Sequence, residues 1–264
     1  MIGFIGCGNM ASAIIKGLVS SKKYNPKEIA VFDICKDKAE SLSKELSLSL
    51  FENESEITEK CDKVVLAVKP DVFPSLLERI GEELKAHDPL VISIAAGKTT
   101  EFIASLLPYC PRLIRIMPNI NAKVQAAISA YCGNERADEA DKAFVKEFCG
   151  AFGRGIEIAE KNFSIYSAIG GCSPAFAFMF IDSLARAAVK NGMTKAEALE
   201  TAAQAVLGSA KLILESDEHP WKLVDAVCSP GGTTIEGVCS LQEKGFEAAV
   251  EAAVEASYNK DKKM

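Results

Sequence analysis

The sequence is poor in histidine and tryptophan, with two histidines and one tryptophan among 264 residues. A histidine-rich metal centre is therefore not expected, and we assign no metal ligand. The nine cysteines are odd in number, widely spaced and without a C-x-x-C pair. This pattern argues against a disulfide framework and a zinc site, and it predicts free thiols in a reducing compartment.

Long hydrophobic runs and excess positive charge are also missing. No run of about 18 uncharged apolar residues occurs, so we expect no membrane span. Residues 1–5 are too short for the apolar region of a signal peptide, which makes the cytoplasm the expected location. The net charge of −6 argues against nucleic acid or an anionic membrane surface as the main partner, because both require a basic face.

The first half alternates short β-rich runs with amphipathic stretches, which predicts βαβ units and a parallel sheet. The predicted strands are 1–5, 28–32, 63–68, 90–95, 112–117 and 126–132, and the predicted helices are 9–20, 36–46, 72–85, 100–107 and 137–148. After about residue 160 only helical patterns remain, at 174–190, 195–214 and 245–257. We therefore predict an α/β fold with a Rossmann-like dinucleotide-binding domain (1–160) and an all-α domain (161–264).

The stretch "MIGFIGCGNMASAIIKGL" places Gly6-x-Gly8-x-x-Ala11 between the first predicted strand and the first predicted helix. In this context Gly6 permits a tight turn, Gly8 lets a pyrophosphate approach the backbone, and Ala11 permits close packing of helix on strand. The helix end would offer free N–H groups to the phosphates. A glycine turn without a ligand is the alternative.

Asp33 ends the second predicted strand at the spacing typical of a ribose-binding carboxylate. A carboxylate there favours NAD and would repel the 2′-phosphate of NADP. Lys36 and Lys38 follow at once and could offset that repulsion, or they could be solvated surface residues. The pattern leaves NADH and NADPH open, with tolerance of both as the expectation.

A second glycine loop, "CSPGGTTIEG" at 228–237, interrupts the helical half. Its Pro-Gly-Gly cannot continue a helix. Thr233 and Glu236 fit a capping box, which would leave the hydroxyl of Thr234 free. N–H groups at this helix end would suit a small carboxylate, and a plain helix start is the alternative. At 170–178, "GGCSPAFAF" suggests a similar break, with Ser173 as N-cap and Pro174 at the first helical position.

Six motifs in order make the chain resemble the pyrroline-5-carboxylate reductases over essentially its full length. These motifs are GCGNMA at 6–11, AVKP at 67–70, AAG at 95–97, RIMPN at 115–119, GCSPAF at 171–176 and SPGGTT at 229–234. The resemblance implies reduction of the cyclic imine 1-pyrroline-5-carboxylate to L-proline with NADPH or NADH. It also implies a homo-oligomer, at least a dimer, formed through the C-terminal helices that supply the substrate pocket.

The resemblance assigns roles by position. The implied cofactor residues, together with Asp33, are Gly6, Cys7, Gly8, Asn9, Met10, Ala11, Asn53, Ala67, Val68, Lys69, Pro70, Ile94, Ala95, Ala96, Gly97, Met117 and Asn119. The implied substrate residues are Glu160, Cys172, Ser173, Gly231, Gly232, Thr233 and Thr234. Thr234, beside the imine nitrogen, and Ser229 are the implied catalytic residues.

Three positions depart from the usual family pattern. Cys172 replaces a serine, Phe176 replaces a tyrosine, and Ala226 stands where some relatives have an asparagine that contacts the cofactor. A related imine or β-hydroxyacid reductase is one alternative, although no lysine occurs from Pro174 until Lys190, where the hydroxyacid enzymes usually need one as acid/base. A cofactor-binding regulator without catalysis is another.

Overall fold

The computed structural model describes residues 1–263 and resolves two compact units. The first comprises residues 1–171 and 260–263, and the second comprises residues 172–259. The division by contacts therefore falls after Gly171, later than the expected boundary at 160.

The first unit is built on one eight-stranded sheet. Its strands are β1 (Ile2–Ile5), β2 (Ile29–Phe32), β3 (Ser49–Leu50), β4 (Lys63–Leu66), β5 (Leu90–Ser93), β6 (Leu113–Met117), β7 (Ala127–Gly133) and β8 (Gly153–Glu157). Their order is β3-β2-β1-β4-β5-β6-β7-β8, and only the β6–β7 pair is antiparallel. The first six strands have the order of a Rossmann sheet, so the predicted fold class is confirmed.

Helices cover this sheet. They are α1 (Asn9–Ser20), α2 (Lys36–Leu46), α3 (Glu54–Lys60), α4 (Phe73–His87), α5 (Thr100–Ser105) and α6 (Glu139–Gly150). The sequence patterns identified six of the strands and five of these helices, within a few residues at their ends. They missed β3, which has two residues, β8, which contains two glycines, and α3, which is polar over most of its length.

Two large hydrophobic clusters, with a small one around Phe163, form the core of the first unit. One includes Phe4, Ile14, Leu18 and Phe148, each fully buried. The ring of Phe148 packs edge-on against Phe152, with centroids 5.6 Å apart. The other cluster includes buried side chains of α4 and β5. Burial on this scale is the main stabilising contribution to such a domain.

The second unit consists of helices. They are α8 (Ser173–Lys190), α9 (Lys195–Glu215), α10 (Pro220–Val227), α11 (Thr233–Glu243) and α12 (Phe246–Asp261). They are preceded by α7 (Phe163–Tyr166), in the first unit, and by a π-helical segment, Ser167–Cys172, which crosses the division between the units. Few of their residues are buried: Pro174, Ala185, Ala198 and Ala202. Large apolar side chains such as Phe178, Met179 and Leu207 are 57%, 70% and 60% exposed.

One continuous helical stretch, Glu160–Lys190, is long and apolar enough to cross a membrane by length and composition alone. Its most apolar window has a mean hydropathy of 1.4 and is 28% buried. Residues 162–181 of this stretch carry no charged side chain, so the sequence contains a long uncharged run that was not expected, interspersed with serines and glycines. Within the stretch, 3-10, α and π turns join across residues 160–173. Ser173 and Pro174 therefore lie within a continuing helix, and the predicted helix start at Ser173 is wrong.

Candidate active site

The cofactor residues implied by the sequence lie where strands of the parallel sheet end. The turn at 6–11 follows β1, Asp33 follows β2, residues 67–70 follow β4, and residues 94–97 follow β5. Met117 is the last residue of β6. Because the carboxyl ends of parallel strands share one edge, these segments lie together there, at the usual ligand-binding edge of an open α/β sheet.

The turn between β1 and α1 has the shape of a phosphate cradle. Gly6 has a φ of +106°, and a Cβ there would lie 2.7 Å from the carbonyl oxygen of Ala67, so a side chain is excluded. Gly8 is the N-cap of α1 without a side-chain cap, and nothing lies within 4 Å of the position of its Cβ. The helix end is therefore open to an anion, and these residues fit a dinucleotide pyrophosphate.

Asp33 holds this turn in place. One carboxylate oxygen accepts the backbone N–H of Cys7 at 2.7 Å, and the other accepts the N–H of Cys35 at 2.8 Å. Burial, and next to it the charge of Asp33, raises the pKa of the Cys7 thiol to about 12, so this thiol is protonated at neutral pH. Asp33 thus joins the glycine turn to the start of α2.

Two cavities border Asp33. A cavity of about 270 Å³ is lined by Asp33, Lys36, Phe51 and neighbouring residues of α2 and β3. A smaller one of about 100 Å³ is lined by Gly6, Asp33, Val68 and others. The larger cavity offers an aromatic ring, a carboxylate and an ammonium group, a combination that suits the adenosine part of a dinucleotide.

Two further implied cofactor residues, Asn53 and Asn119, make hydrogen bonds within the protein. Asn53 is exposed but caps α3, where its Oδ1 accepts the N–H of Glu56 at 2.9 Å. Asn119 is 5% exposed. Its amide donates to the carbonyl of Gly170 at 2.8 Å and accepts the N–H of Asn121 at 3.1 Å, so it anchors the π-helical segment.

The two glycines of that segment, Gly170 and Gly171, differ in whether their surroundings exclude a side chain. A Cβ at Gly170 would lie 2.6 Å from the ring of Tyr166, so the ring requires a glycine there. A Cβ at Gly171 would meet the methyl group of Met117 at 3.5 Å, an ordinary contact.

Glu160 is held within the first unit. Its carboxylate accepts the N–H of Thr100 at 2.8 Å and the Thr100 hydroxyl at 2.7 Å. It also pairs with the guanidinium of Arg115 at 3.3 Å. Sequence reasoning gave no role to Thr100, and it quoted Arg115 only as part of the motif at 115–119, although a cation within the apolar strand "LIRIM" was a usable signal.

In the second unit, the loop at 229–234 begins with a tight turn. The N–H of Gly232 donates to the carbonyl of Ser229 at 2.9 Å, and Gly231 has a φ of +67°. Pro230 and Gly231 are the central residues that a type II turn prefers. The Pro-Gly-Gly sequence thus sets the chain direction into α11.

Helix α11 begins one residue earlier than expected. Its N-cap is Gly232, without a side-chain cap, so the predicted capping box from Thr233 to Glu236 is wrong. The reason is that the extended φ and ψ of Gly232 already start the helix. Thr233 and Thr234 are both exposed in the first turn, and the N–H groups at this helix end are open to a carboxylate. Cys172 and Ser173 are half-buried at the start of α8.

Among residues 1–263 no group of histidine, cysteine and acidic side chains could hold a metal ion, and none of the nine cysteines is in a disulfide. A Rossmann sheet, an open phosphate cradle and a helical unit define a two-part nicotinamide-dependent oxidoreductase. Consistent with this, residues 1–97 match the family described as NADP oxidoreductase, coenzyme F420-dependent.

Residues 160–264 match the family described as pyrroline-5-carboxylate reductase dimerisation. Over its whole length the chain is 43% identical to pyrroline-5-carboxylate reductase of Escherichia coli strain K12, with 97% of that protein covered. It superimposes on the reductase structure from Coxiella burnetii with a TM-score of 0.94 at 32% identity, covering 99% of this chain and 97% of the other. The Plasmodium falciparum structure with NADP bound gives 0.86 at 32% identity, with 99% and 96% covered. The chain belongs to the pyrroline-5-carboxylate reductase family.

Proposed function

We propose that this protein reduces the cyclic imine of 1-pyrroline-5-carboxylate to L-proline, the last step of proline synthesis. The observation that carries the proposal is the uncapped start of α11, where the backbone N–H groups that follow Gly232 lie beside the exposed hydroxyl of Thr234. It offers a carboxylate site and a hydrogen-bonding group within one helical turn, which is what an imino acid requires. Membership of the pyrroline-5-carboxylate reductase family also supports the proposed reaction.

The substrate carboxylate would bind the free N–H groups at the start of α11, with Gly231, Gly232 and Thr233 forming its cradle. Thr234 would hydrogen-bond the ring nitrogen, and Ser229 would support the loop next to it. Cys172 and Ser173 would line the pocket. A cyclic imine is basic and binds in its protonated form, so no strong acid is needed at the nitrogen.

Bound NADPH or NADH would supply the hydride that adds to the imine carbon. The turn from Gly6 through Cys7, Asn9 and Met10 to Ala11 would hold the pyrophosphate. The segments Ala67-Val68-Lys69-Pro70 and Ile94-Ala95-Ala96-Gly97, with Met117, would position the nicotinamide and exclude water.

We propose that both cofactors are used. Both oxygens of Asp33 already accept backbone N–H groups, so part of the charge that would repel a 2′-phosphate is offset. Lys36 lines the same cavity, and the charge of Lys38 lies close enough to Cys7 to oppose part of the rise in the pKa of that thiol. Reaction rates with NADPH and with NADH at equal concentration give the preference directly.

The test is consumption of reduced nicotinamide after addition of pyrroline-5-carboxylate, with L-proline measured as product. Cofactor binding without consumption would indicate a non-catalytic regulator, and consumption only with other imines or β-hydroxyacids would indicate a related reductase. Thr234→Ala should lower kcat/KM about tenfold or more, because it removes a positioned hydrogen-bonding group. Its affinity for NADPH should stay nearly unchanged.

The control is Thr201→Ala, which removes the same hydroxyl from an exposed position on α9. We expect wild-type kinetics from this variant. Wild-type kinetics from Thr234→Ala as well would refute the assignment of that residue.

We further propose a homo-oligomer, at least a dimer, assembled through the C-terminal helices, in the cytoplasm. The exposed apolar side chains of α8 and α9 support this assembly, because such faces are covered in soluble proteins. A helix face buried against a second copy also accounts for the apolar character of Glu160–Lys190 without a membrane.

A further inference from the structure

Glu160 sits at the centre of a polar cluster inside the first unit. It is the first residue of the 3-10 turn Glu160–Asn162, which starts the long helix after β8. Thr100 is the first residue of α5, directly after the loop that carries residues 94–99. The carboxylate bonds both the N–H and the hydroxyl of Thr100, so it clamps the end of that loop.

Arg115 fixes the carboxylate from the other side. Its side chain is 7% exposed and lies on β6, two residues before Met117. The guanidinium lies 4.2 Å from the ring centroid of Phe163 and pairs with Glu160, while its Nε has no partner. A buried cation held by one carboxylate and one ring leaves that carboxylate little freedom to move.

The cluster therefore joins two segments next to the proposed nicotinamide position. One is the 94–97 loop, which is held at its start by β5 and at its end by Thr100. The other is the end of β6 at Met117. Neither Thr100 nor Arg115 belongs to the implied site, and both are buried.

We infer that Glu160 is a positioning residue, which sets the 94–99 loop for hydride transfer through Thr100 and Arg115. The resemblance assigned it to the substrate pocket, but both of its oxygens already accept hydrogen bonds from the first unit. This inference rests on the proposed function. Small displacements of a positioned reactant cost rate more than affinity.

Thr100→Val tests this inference, because it removes the hydroxyl bond and leaves the Arg115–Glu160 pair intact. We expect kcat to fall about tenfold, with the Kd of NADPH and the KM of pyrroline-5-carboxylate within about threefold of wild type. Thr100→Ser keeps a hydroxyl and should restore kcat. Glu160→Gln should change the same parameter as Thr100→Val, since both act on the loop.

The matched control is Thr58→Val, which removes a buried hydroxyl bond of 2.9 Å from α3, and wild-type kinetics are expected. The inference is overturned if Thr100→Val changes only the melting temperature. It is also overturned if Glu160→Gln raises the KM of pyrroline-5-carboxylate while Thr100→Val is unaffected, because Glu160 then contacts the substrate. An inactive wild-type protein would instead refute the proposed function.

Discussion

The two units of this chain differ in how much of their hydrophobic surface they bury. In the first unit, whole strands and the inner faces of α1 and α4 are fully buried. In the second unit, α10, α11 and α12 have no buried residue. The first unit has a core of its own, whereas the second leaves large apolar side chains uncovered in a single chain.

The two units therefore cover their apolar side chains in different ways. A sheet with helices packed on it needs no second chain to cover its apolar side chains, because each helix buries its apolar stripe on the strands. The helices of the second unit carry apolar residues on more than one face, and a second copy would supply the missing cover. The proposed cofactor cradle thus lies in the self-sufficient unit, and the proposed substrate loop lies in the dependent one.

The largest expected effect comes from the core of the first unit. Phe148→Ala removes a fully buried ring and should lower the free energy of unfolding by about 3–5 kcal/mol. Urea unfolding measured at two protein concentrations should show the same loss at both, because the contact lies within one chain.

The matched variant is Phe178→Ala in the second unit, where the ring is 57% exposed in a single chain. Its loss should shrink as the protein is diluted, because the ring would be covered only in the assembly, and dissociated chains of wild type and variant both lack that contact. Equal, concentration-independent losses for both variants would contradict the comparison.

A smaller effect is expected at the glycine turn. Gly6→Ala would force a side chain into a φ of +106° against the Ala67 carbonyl, so it should lose stability, by at least about 1 kcal/mol, and also cofactor binding. Gly8→Ala meets no atom of the protein. It should keep the melting temperature and weaken NADPH binding about tenfold or more by blocking the phosphate.

Calorimetry and fluorescence titration of both variants separate these effects. If Gly8→Ala binds NADPH as tightly as wild type, the turn is not the pyrophosphate site.

Local patterns predicted the first unit well because its signals lie close together in sequence. Buried strands such as "KVVL" read as apolar runs, and the strand–glycine–helix order at 1–20 fixed the turn. The predicted capping box at Thr233 was wrong because two threonines and a glycine compete for the same helix start, and the backbone of Gly232 decides it.

Local sequence patterns could not predict the contacts between residues that are far apart in the chain. The bonds from Glu160 to Thr100 span 60 residues, and Asn119 meets Gly170 across 51 residues. No local spacing reports such pairs. The π-helical segment at 167–172 depends on the packing of the Tyr166 ring against Gly170 and on the hydrogen bond from Asn119 to Gly170. The local pattern shows neither contact, so its two glycines predicted a break between helices.

The most direct test of the comparison is the mass in solution, measured by light scattering, of the wild-type chain and of Met179→Glu. Met179 is 70% exposed in a single chain, so a glutamate there costs little unless a second copy covers it. Val124→Glu, at an equally exposed position of the first unit, is the control. We predict at least twice the mass of one chain for wild type and Val124→Glu, and a single chain for Met179→Glu. A wild-type protein that is monomeric at micromolar concentration would contradict the account.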